Sequence, residues 1–329
     1  MGWFKQKRIF LDYASATPVL PEVRQAMEQY WSRDFYNPSA IYEEGVKVKK
    51  EIDAYRTKIA RILGVAKEAI IFTSGGTEAN TWVVRGVKPG RIVAELGSHP
   101  SVSEAAKGIT GVETTLISSV TTDNKLGRKI REERKNGNTE FPLLHIDASQ
   151  TAGYFNVGLE ALSCDLLTLD SAKLYGPKGI GALVVRKEVK LEVPPIGTPA
   201  VPLIAGFAKA LEIAVRDRAL EYKRLDSLSV KFKELIERYL PQALVTRSLP
   251  NVVHILVPAC AGRPGILPEF LVLALDRTGV LASAGPACNS NKPEPRETPV
   301  RFSFGRYTTF SEVKRAAEIF CKICRSVLK

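Results

Sequence analysis

The chain has 329 residues, of which 45% are hydrophobic and 25% are charged. This balance is typical of a globular protein with a substantial core, and it excludes a disordered chain. The formal net charge is +12, but basic and acidic residues are interleaved and no aromatic-basic RNA-binding motif accompanies them. We therefore expect no nucleic-acid partner, although the charge favours an anionic ligand or an acidic partner.

No run approaches the roughly 18 apolar residues that a membrane-spanning helix needs, and the first residues lack the apolar segment of a signal peptide. Five scattered cysteines are typical of a reducing compartment rather than of a disulfide framework. These features predict a cytoplasmic protein without membrane association. Cys321 and Cys324 form a C-x-x-C pair in a segment with helical periodicity. With no second ligand pair nearby, we predict helical thiols and no metal site.

Short β-rich runs alternate with helical patterns over the first two-thirds of the chain. The predicted strands are AIIFTS (69–74), RIVAEL (91–96), TTLISSV (114–120), PLLHID (142–147), LLTLD (166–170) and GALVVR (181–186). The predicted helices cover 21–31, 39–63, 77–86 and 100–107. This alternation indicates an α/β fold with a mostly parallel central sheet between helices. Ligands of such sheets bind at the carboxyl ends of the strands.

The last third of the chain has a different pattern. A long helix is predicted from about Val201 to Leu240, followed by a strand, a helix, a loop that carries Cys288, another strand and a C-terminal helix. This order predicts a smaller α+β domain. We expect a large domain over 13–219, and a small domain built from 1–12 and 220–329.

A Gly-Gly turn in IIFTSGGTEAN joins a predicted strand to a predicted helix. Small residues let backbone N–H groups approach an anion, and the N-terminus of a helix favours negative charge. Gly76 and Thr77 can therefore hold a single phosphate. The segment lacks the lysine of a Walker loop, which argues against a nucleotide. An ordinary strand-to-helix turn would explain this segment alone equally well.

Lys173 follows the predicted strand LLTLD and precedes a Gly-Pro turn. Partial desolvation at the ligand edge of a sheet lowers the pKa of a lysine and suits it to Schiff-base chemistry. A surface lysine with a buried stem is the alternative, and it is the better interpretation of this segment taken alone.

Asp147 ends the hydrophobic strand PLLHID. A buried carboxylate needs a cationic partner, and a protonated pyridine nitrogen, as in pyridoxal 5′-phosphate (PLP), is one such partner. Gln150, three residues later, could reach the phenolic oxygen of that cofactor. A solvated carboxylate that caps the next turn explains the segment alone equally well.

Eight motifs together resemble the cysteine desulfurase family of fold-type I PLP enzymes. In chain order they are LDYASATPVLPEV, YNPSAIYEEG, FTSGGTEAN, SHPSV, HIDASQTAG, AKLYGPKGIGAL, ASAGPACNS and RFSFGRYTT. The match is collinear over roughly residues 9 to 320. It implies an L-cysteine desulfurase that contains PLP, forms a homodimer and passes sulfur to an acceptor, such as an iron–sulfur scaffold or a tRNA-thiolating enzyme.

The resemblance also assigns roles to individual residues. Lys173 would be the Schiff-base lysine, and Cys288 would take sulfur from the substrate as a persulfide. The other residues with implied roles are Asp147 at the pyridine nitrogen, Gln150 at the ring oxygen, His99 stacked on the ring, Gly76 and Thr77 at the phosphate, Thr198 at the phosphate of the neighbouring subunit, and Arg301 at the substrate carboxylate. His145 and His254 lie within predicted strands, so we expect both in the core.

The sequence departs from the family pattern around the lysine. Family members have a histidine just before it and a phosphate-binding serine three residues before it, whereas this chain has Ala172 and Asp170. Because a carboxylate would repel the phosphate, we expect Asp170 to turn away and Ser171 to donate instead. A family asparagine near the ring corresponds to Asp123, or alternatively to Asn124. A Gly-rich segment before Thr198 is largely missing.

Two alternatives stay open from the sequence alone. One is another fold-type I PLP lyase or aminotransferase, such as a selenocysteine lyase. The other is a non-catalytic protein with this fold that serves as a binding partner, a reading that Ala172 and the missing loop segments favour.

Overall fold

The computed structural model describes residues 8–95, 97–194, 197–259, 267–285 and 297–327. Two compact units make up the chain. Thr17–Arg218 form one, called here the large unit, and the described residues of Met1–Ala16 and Ala219–Lys329 form the other, the small unit. Cys288, the predicted sulfur acceptor, lies outside the described residues.

The large unit contains a six-stranded sheet. Its strands are β2 (Ile70–Thr73), β3 (Arg91–Ala94), β4 (Thr114–Ser119), β5 (Leu143–Asp147), β6 (Leu166–Asp170) and β7 (Gly181–Val185), in the spatial order β2-β7-β6-β5-β4-β3. Neighbours from β3 to β6 are parallel, and β7 is antiparallel to both β6 and β2. The predicted mostly parallel α/β sheet is therefore confirmed.

Helices precede and connect the strands of this sheet. They are α1 (Pro21–Ser32), α2 (Glu43–Leu63), α3 (Gly76–Gly86), α4 (Pro100–Ala105), α5 (Lys125–Gly137) and α6 (Leu159–Leu162), with short 3₁₀ helices at Lys67–Ala69 and Ser171–Lys173. The residues Ala79, Val83 and Val84 of α3 are buried against apolar strand residues such as Leu116 and Leu183. Their spacing places them on one stripe of the helix, which explains why α3 packs on the sheet.

The long helix α7 (Val201–Tyr239) carries the chain from the large unit into the small one. The other elements of the small unit are β1 (Ile9–Phe10), β8 (Leu244–Leu249), β9 (Val252–Pro258), α8 (Pro268–Arg277), β10 (Val280–Leu281), β11 (Ser283–Ala284), β12 (Glu297–Ser303) and α9 (Phe310–Val327). An antiparallel sheet has the order β11-β12-β9-β8, and β1 pairs with β10 in parallel.

Aromatic side chains form the centre of the small unit. Phe232 of α7 lies 4.9 Å from Phe302 and 5.4 Å from Phe304, and Phe302 lies 5.3 Å from Phe320 of α9, measured between ring centroids. All four side chains are fully buried. Tilted and edge-on ring pairs at these distances add to the gain from burial alone. None of the helices in the described ranges is long and apolar enough to cross a membrane.

Candidate active site

One edge of the large-unit sheet carries most of the residues predicted to act. The strands β2 to β6 all run in one direction, so their carboxyl ends share this edge. The predicted residues follow these ends in turn: Gly76 and Thr77 after β2, His99 after β3, Asp123 and Asn124 after β4, Asp147 and Gln150 at and after β5, and Lys173 after β6. The topology thus brings segments far apart in sequence to one edge, where α/β proteins bind ligands.

Asp147 is buried and held by two N–H donors. The side-chain amide of Asn80, on α3, donates to Oδ2 over 2.8 Å, and the backbone N–H of Ser149 donates to Oδ1 over 3.0 Å. These bonds compensate the carboxylate for the loss of water. Asn80 is not among the residues predicted from the sequence. The sequence does contain a signal for it, because Asn80 is a polar residue on the helix stripe that Ala79, Val83 and Val84 otherwise fill.

A hydrogen-bonded chain connects Asp147 to His99. Asn80 also donates to the hydroxyl of Ser101 over 3.0 Å, and that hydroxyl lies 2.8 Å from Nδ1 of His99. The same Nδ1 accepts from the backbone N–H of Ser101 over 3.1 Å, so His99 caps α4. Because Nδ1 is an acceptor, the neutral ring carries its proton on Nε2. The exposed ring therefore offers an N–H donor.

His145 lies beneath the site on β5 and is fully buried. Its Nδ1 is 2.9 Å from the Ser118 hydroxyl and its Nε2 is 2.9 Å from the Thr168 hydroxyl. Burial lowers the pKa of His145 to about 4, against the opposing attraction of Asp147. The ring is therefore neutral at physiological pH. His254, on β9, is partly exposed, and burial with the nearby Arg301 lowers its pKa.

The backbone around Lys173 is fixed by one threonine. The hydroxyl of Thr17 donates to the carbonyl of Ala172 over 2.9 Å and accepts from the N–H of Tyr175 over 3.0 Å. Tyr175 has a φ of 61°, in the left-handed region that non-glycine residues seldom adopt. Thr17 therefore bridges the residues on either side of the half-buried Lys173, and the strained turn is held in one conformation.

The glycine turn before α3 is closely packed. A Cβ on Gly76 would lie 2.8 Å from the Ser149 hydroxyl, and Gly75 has a φ of 153°. Both positions therefore favour glycine. The Ser149 hydroxyl oxygen is buried and has no hydrogen-bond partner among the described residues. An unsatisfied donor beside the first amides of a helix suits an anionic group.

One prediction beside Lys173 needs correction. Asp170 does not turn away from the glycine turn, because its Oδ2 lies 3.5 Å from the Cβ position of Gly76 and 4.0 Å from that of Gly75. The role of Ser171 as a phosphate donor stays a prediction, since its hydroxyl has no hydrogen-bond partner among the described residues. The Ser171 hydroxyl is fully buried and lies against Gly176. A Cβ on Gly176 would lie 2.1 Å from this hydroxyl oxygen. The alternation of side chains at the end of β6 explains both results.

The remaining predicted residues of the large unit are less enclosed. Oδ1 of Asp123 accepts from the N–H of Lys125 over 2.9 Å, which occupies this carboxylate in the turn that starts α5. Asn124 is the N-cap of α5 and is half-exposed. Gln150 is half-buried, and Thr198 is exposed. Their roles toward substrate, cofactor or a second subunit stay predictions.

Arg301 lies on β12 of the small unit within a polar cluster. Its Nη2 donates to Asp12 over 3.1 Å, to Ser15 over 2.9 Å and to Ser283 over 3.3 Å. Asp12 also accepts from the Ser283 hydroxyl over 2.9 Å. Nη2 of the guanidinium is thus fixed. Within the described part of the chain, the buried Nε of Arg301 has no partner.

The large-unit residues fit PLP. The buried Asp147 carboxylate suits a protonated pyridine nitrogen, Lys173 suits the aldehyde, and the glycine turn with the Ser149 hydroxyl suits the phosphate. The carboxylate of Asp170 conflicts with a phosphate at this turn. A mostly parallel sheet with these residues at its carboxyl edge defines a fold-type I PLP-dependent enzyme.

Comparisons with known proteins identify the branch. The family model for aminotransferase class V matches residues 9–124 and 97–196. The chain is 30% identical to cysteine desulfurase IscS of Dictyoglomus turgidum, over 97% of this chain and 95% of that protein. It is 29% identical to cysteine desulfurase IscS of Methanosarcina thermophila, over 98% and 93%. The chain therefore belongs to the cysteine desulfurase family of class-V aminotransferases.

Solved structures agree with this assignment. A NifS-like protein superposes with a TM-score of 0.83 at 25% identity, covering 97% of this chain and all of the other. The NifS-like protein of Rickettsia africae superposes with a TM-score of 0.82 at 22% identity, over 96% and 99%, which supports the fold. The resemblance inferred from the eight motifs is confirmed.

Proposed function

We propose that this chain is a PLP-dependent L-cysteine desulfurase that releases L-alanine and leaves the sulfur as a persulfide on Cys288. The observation that carries the proposal is the hydrogen-bonded chain Asp147–Asn80–Ser101–His99 at the same sheet edge as Lys173, in a member of this family. Neither a surface lysine nor a solvated carboxylate would require such a buried polar chain.

Four residues would hold the cofactor in the large unit. Asp147 would keep the pyridine nitrogen protonated, Lys173 would hold the aldehyde carbon, and Gly76 with Ser149 would face the phosphate. PLP, when bound, supplies an electron sink for the bonds at the substrate α-carbon. The neutral His145 places no positive charge beside Asp147 that would compete with the pyridine nitrogen for the carboxylate.

The proton transfers fall to Lys173 and His99. The amine of Lys173 would take the proton from the α-carbon of L-cysteine, since Thr17 fixes the backbone on both sides of it. His99 has its Nδ1 engaged by Ser101, so its Nε2–H would donate to the substrate or the ring. Arg301 would bind the substrate carboxylate, with Nη2 oriented by Asp12.

The sulfur step would use Cys288, which lies outside the described residues. Its thiolate would attack the substrate sulfur, so that an S–S bond forms while the substrate Cβ–S bond breaks. The electrons of the broken bond leave with carbon, which takes up protons to become alanine. The balance is one L-cysteine and one Cys288 thiol giving one L-alanine and one Cys288 persulfide, with no external oxidant.

An acceptor protein would then receive the persulfide sulfur, either an iron–sulfur scaffold or a tRNA-thiolating enzyme. The net charge of +12 favours an acidic acceptor surface. We further propose that the enzyme acts in the cytoplasm as a homodimer, in which Thr198 contributes to the partner's phosphate site.

Turnover with and without Cys288 tests this proposal. The protein incubated with PLP, L-cysteine and a thiol reductant should form alanine and sulfide in equal amounts. Without added reductant, it should form about one alanine per active site in a fast phase and then turn over slowly, because only the thiol of excess L-cysteine discharges the persulfide. The Cys288→Ala variant should keep the visible absorption of bound cofactor and form no sulfide. Unchanged sulfide release by Cys288→Ala would contradict the persulfide step.

Two other outcomes would redirect the assignment. Turnover of L-selenocysteine without turnover of L-cysteine would identify a selenocysteine lyase. A protein that gains no visible absorption band on addition of PLP would favour the non-catalytic alternative.

A further inference from the structure

We propose that Asp170 makes this site discriminate against the phosphate of its own cofactor, so that PLP is held mainly through its ring and Lys173. The inference rests on the proposed function, because it concerns the same site. It adds that the carboxylate of Asp170 lowers the affinity for PLP relative to that for pyridoxal, which lacks the phosphate.

The strand register places Asp170 at the glycine turn. Thr73, the last residue of β2, pairs with Gly181 of β7, and Gly181 pairs with Asp170 of β6. A Cβ on Gly181 would lie 2.9 Å from the Cα of Gly75. Because Gly181 has no side chain, the turn after β2 can fold across it and reach Asp170.

The carboxylate then lies where the phosphate would be received. Oδ2 of Asp170 is 3.5 Å from the Cβ position of Gly76, the first residue of α3, and the unpartnered Ser149 hydroxyl is 2.8 Å from the same point. Ser149 and the N-terminus of α3 attract an anion, whereas Asp170 repels one. The three groups share one small space, so the repulsion acts directly on any phosphate bound there.

A second carboxylate lies in the same turn. Glu78 accepts from the backbone N–H of Ser74 over 2.5 Å, which occupies one of the donors ahead of α3. Like charges about 4 Å apart in a partly buried site lower an affinity by about ten- to hundredfold. Glu78 therefore leaves a phosphate one backbone donor fewer at this turn. Asp170 adds a negative charge that a hydroxyl at position 170 would not.

The structural role of Asp170 does not require its charge. Oδ1 accepts from the N–H of Ala172 over 2.9 Å and so caps the 3₁₀ helix that carries Lys173. Serine and asparagine cap helices about as well as aspartate does. Replacement of Asp170 by either residue should preserve the cap while removing the charge.

Equilibrium binding of PLP and pyridoxal, followed by the absorption of the bound ligand, tests the inference. For Asp170→Ser and Asp170→Asn we expect the Kd for PLP to fall by about tenfold or more, while the Kd for pyridoxal changes by less than about twofold. The matched control is Glu68→Gln, which removes the same charge from an exposed residue before β2, at the end away from the turn. It should change neither Kd.

The outcomes separate this inference from the proposed function. Equal changes in both affinities would show a structural effect of position 170, and an unchanged PLP affinity in both variants would show that Asp170 does not act on the phosphate. Either result overturns the inference and leaves the desulfurase proposal intact. Failure of the wild-type protein to bind either ligand would overturn both.

Discussion

The side-chain amide of Asn80 donates a hydrogen bond to the carboxylate of Asp147 over 2.8 Å, and both side chains are buried. Asn80 lies on α3 and Asp147 ends β5, so this bond ties the helix after the glycine turn to the strand under the proposed ring site. It is the link through which Asp147 connects to Ser101 and His99.

Asn80→Ala should lower the free energy of unfolding by about 1–3 kcal/mol, because it leaves a buried carboxylate with one donor fewer. Urea denaturation at pH 7.5 measures this. The matched control is Thr81→Ala on the same helix, whose exposed hydroxyl bonds only to the carbonyl of Thr77 in the described structure; its effect should stay within about 0.5 kcal/mol. Equal effects of the two changes would contradict a special role for the Asn80–Asp147 bond.

Stability should fall at mildly acidic pH because of His145. Its pKa is about 4 in the folded protein and about 6.5 in the unfolded chain, so the unfolded state binds more protons between these values. The free energy of unfolding therefore decreases as the pH falls from 6.5 to 4, by roughly 3 kcal/mol from this group.

Denaturation across this pH range in the wild type and in His145→Gln measures that contribution. The slope with pH, rather than the absolute stability, is the quantity of interest, because the substitution also disturbs the core. His145→Gln should flatten the slope, while His254→Gln, at a partly exposed site, should change it less. Parallel slopes in His145→Gln and the wild type would show that His145 is not the titrating group.

Asp12→Asn should weaken substrate binding through Arg301. The variant loses the charge that holds Nη2 over 3.1 Å, and charge-assisted bonds are roughly twice as strong as neutral ones. We expect the KM for L-cysteine to rise about tenfold with kcat within about threefold, as measured by steady-state alanine formation. The control is Asp226→Asn, which breaks the ion pair with Arg247 elsewhere in the small unit. A kcat loss with unchanged KM would contradict a positioning role for Asp12.

The three cysteines within the described ranges should react slowly with alkylating reagents. Burial raises the pKa of Cys164 and Cys324 to about 12 and that of Cys321 to about 11, so little thiolate is present at pH 8. Iodoacetamide followed by peptide mass mapping should label Cys288 well before these three. Labelling of Cys321 or Cys324 as fast as Cys288 would favour a redox role for the C-x-x-C pair.

Periodicity was sufficient to predict the large-unit sheet, because all six strands are short apolar runs between helices. It did not predict α5, in which only Gly127 and Ile130 are buried and the other positions are mostly charged. It also missed β8, an edge strand of the small unit with few buried residues. Elements that contribute little to a core leave little hydrophobic pattern in the sequence.

The candidate site was predictable as far as strand ends reveal it. Lys173, Asp147 and His99 follow strands that the sequence identifies, so their shared edge could be inferred. The orientation of Asp170 could not, because it depends on pairing across Gly181 with a strand almost 100 residues away. Asn80 was hidden for a similar reason, since its partners come from β5 and α4.

The central claim is that Lys173 holds the cofactor, and reductive trapping tests it most directly. The protein is incubated with PLP, reduced with borohydride, digested and mapped by mass spectrometry. The control within the same molecule is Lys178, which lies five residues further along and donates to the carbonyl of Thr17 over 3.1 Å. We expect one phosphopyridoxyl group on Lys173, none on Lys178, and loss of the label in Lys173→Ala. A label on other lysines with Lys173 unmodified would contradict the account.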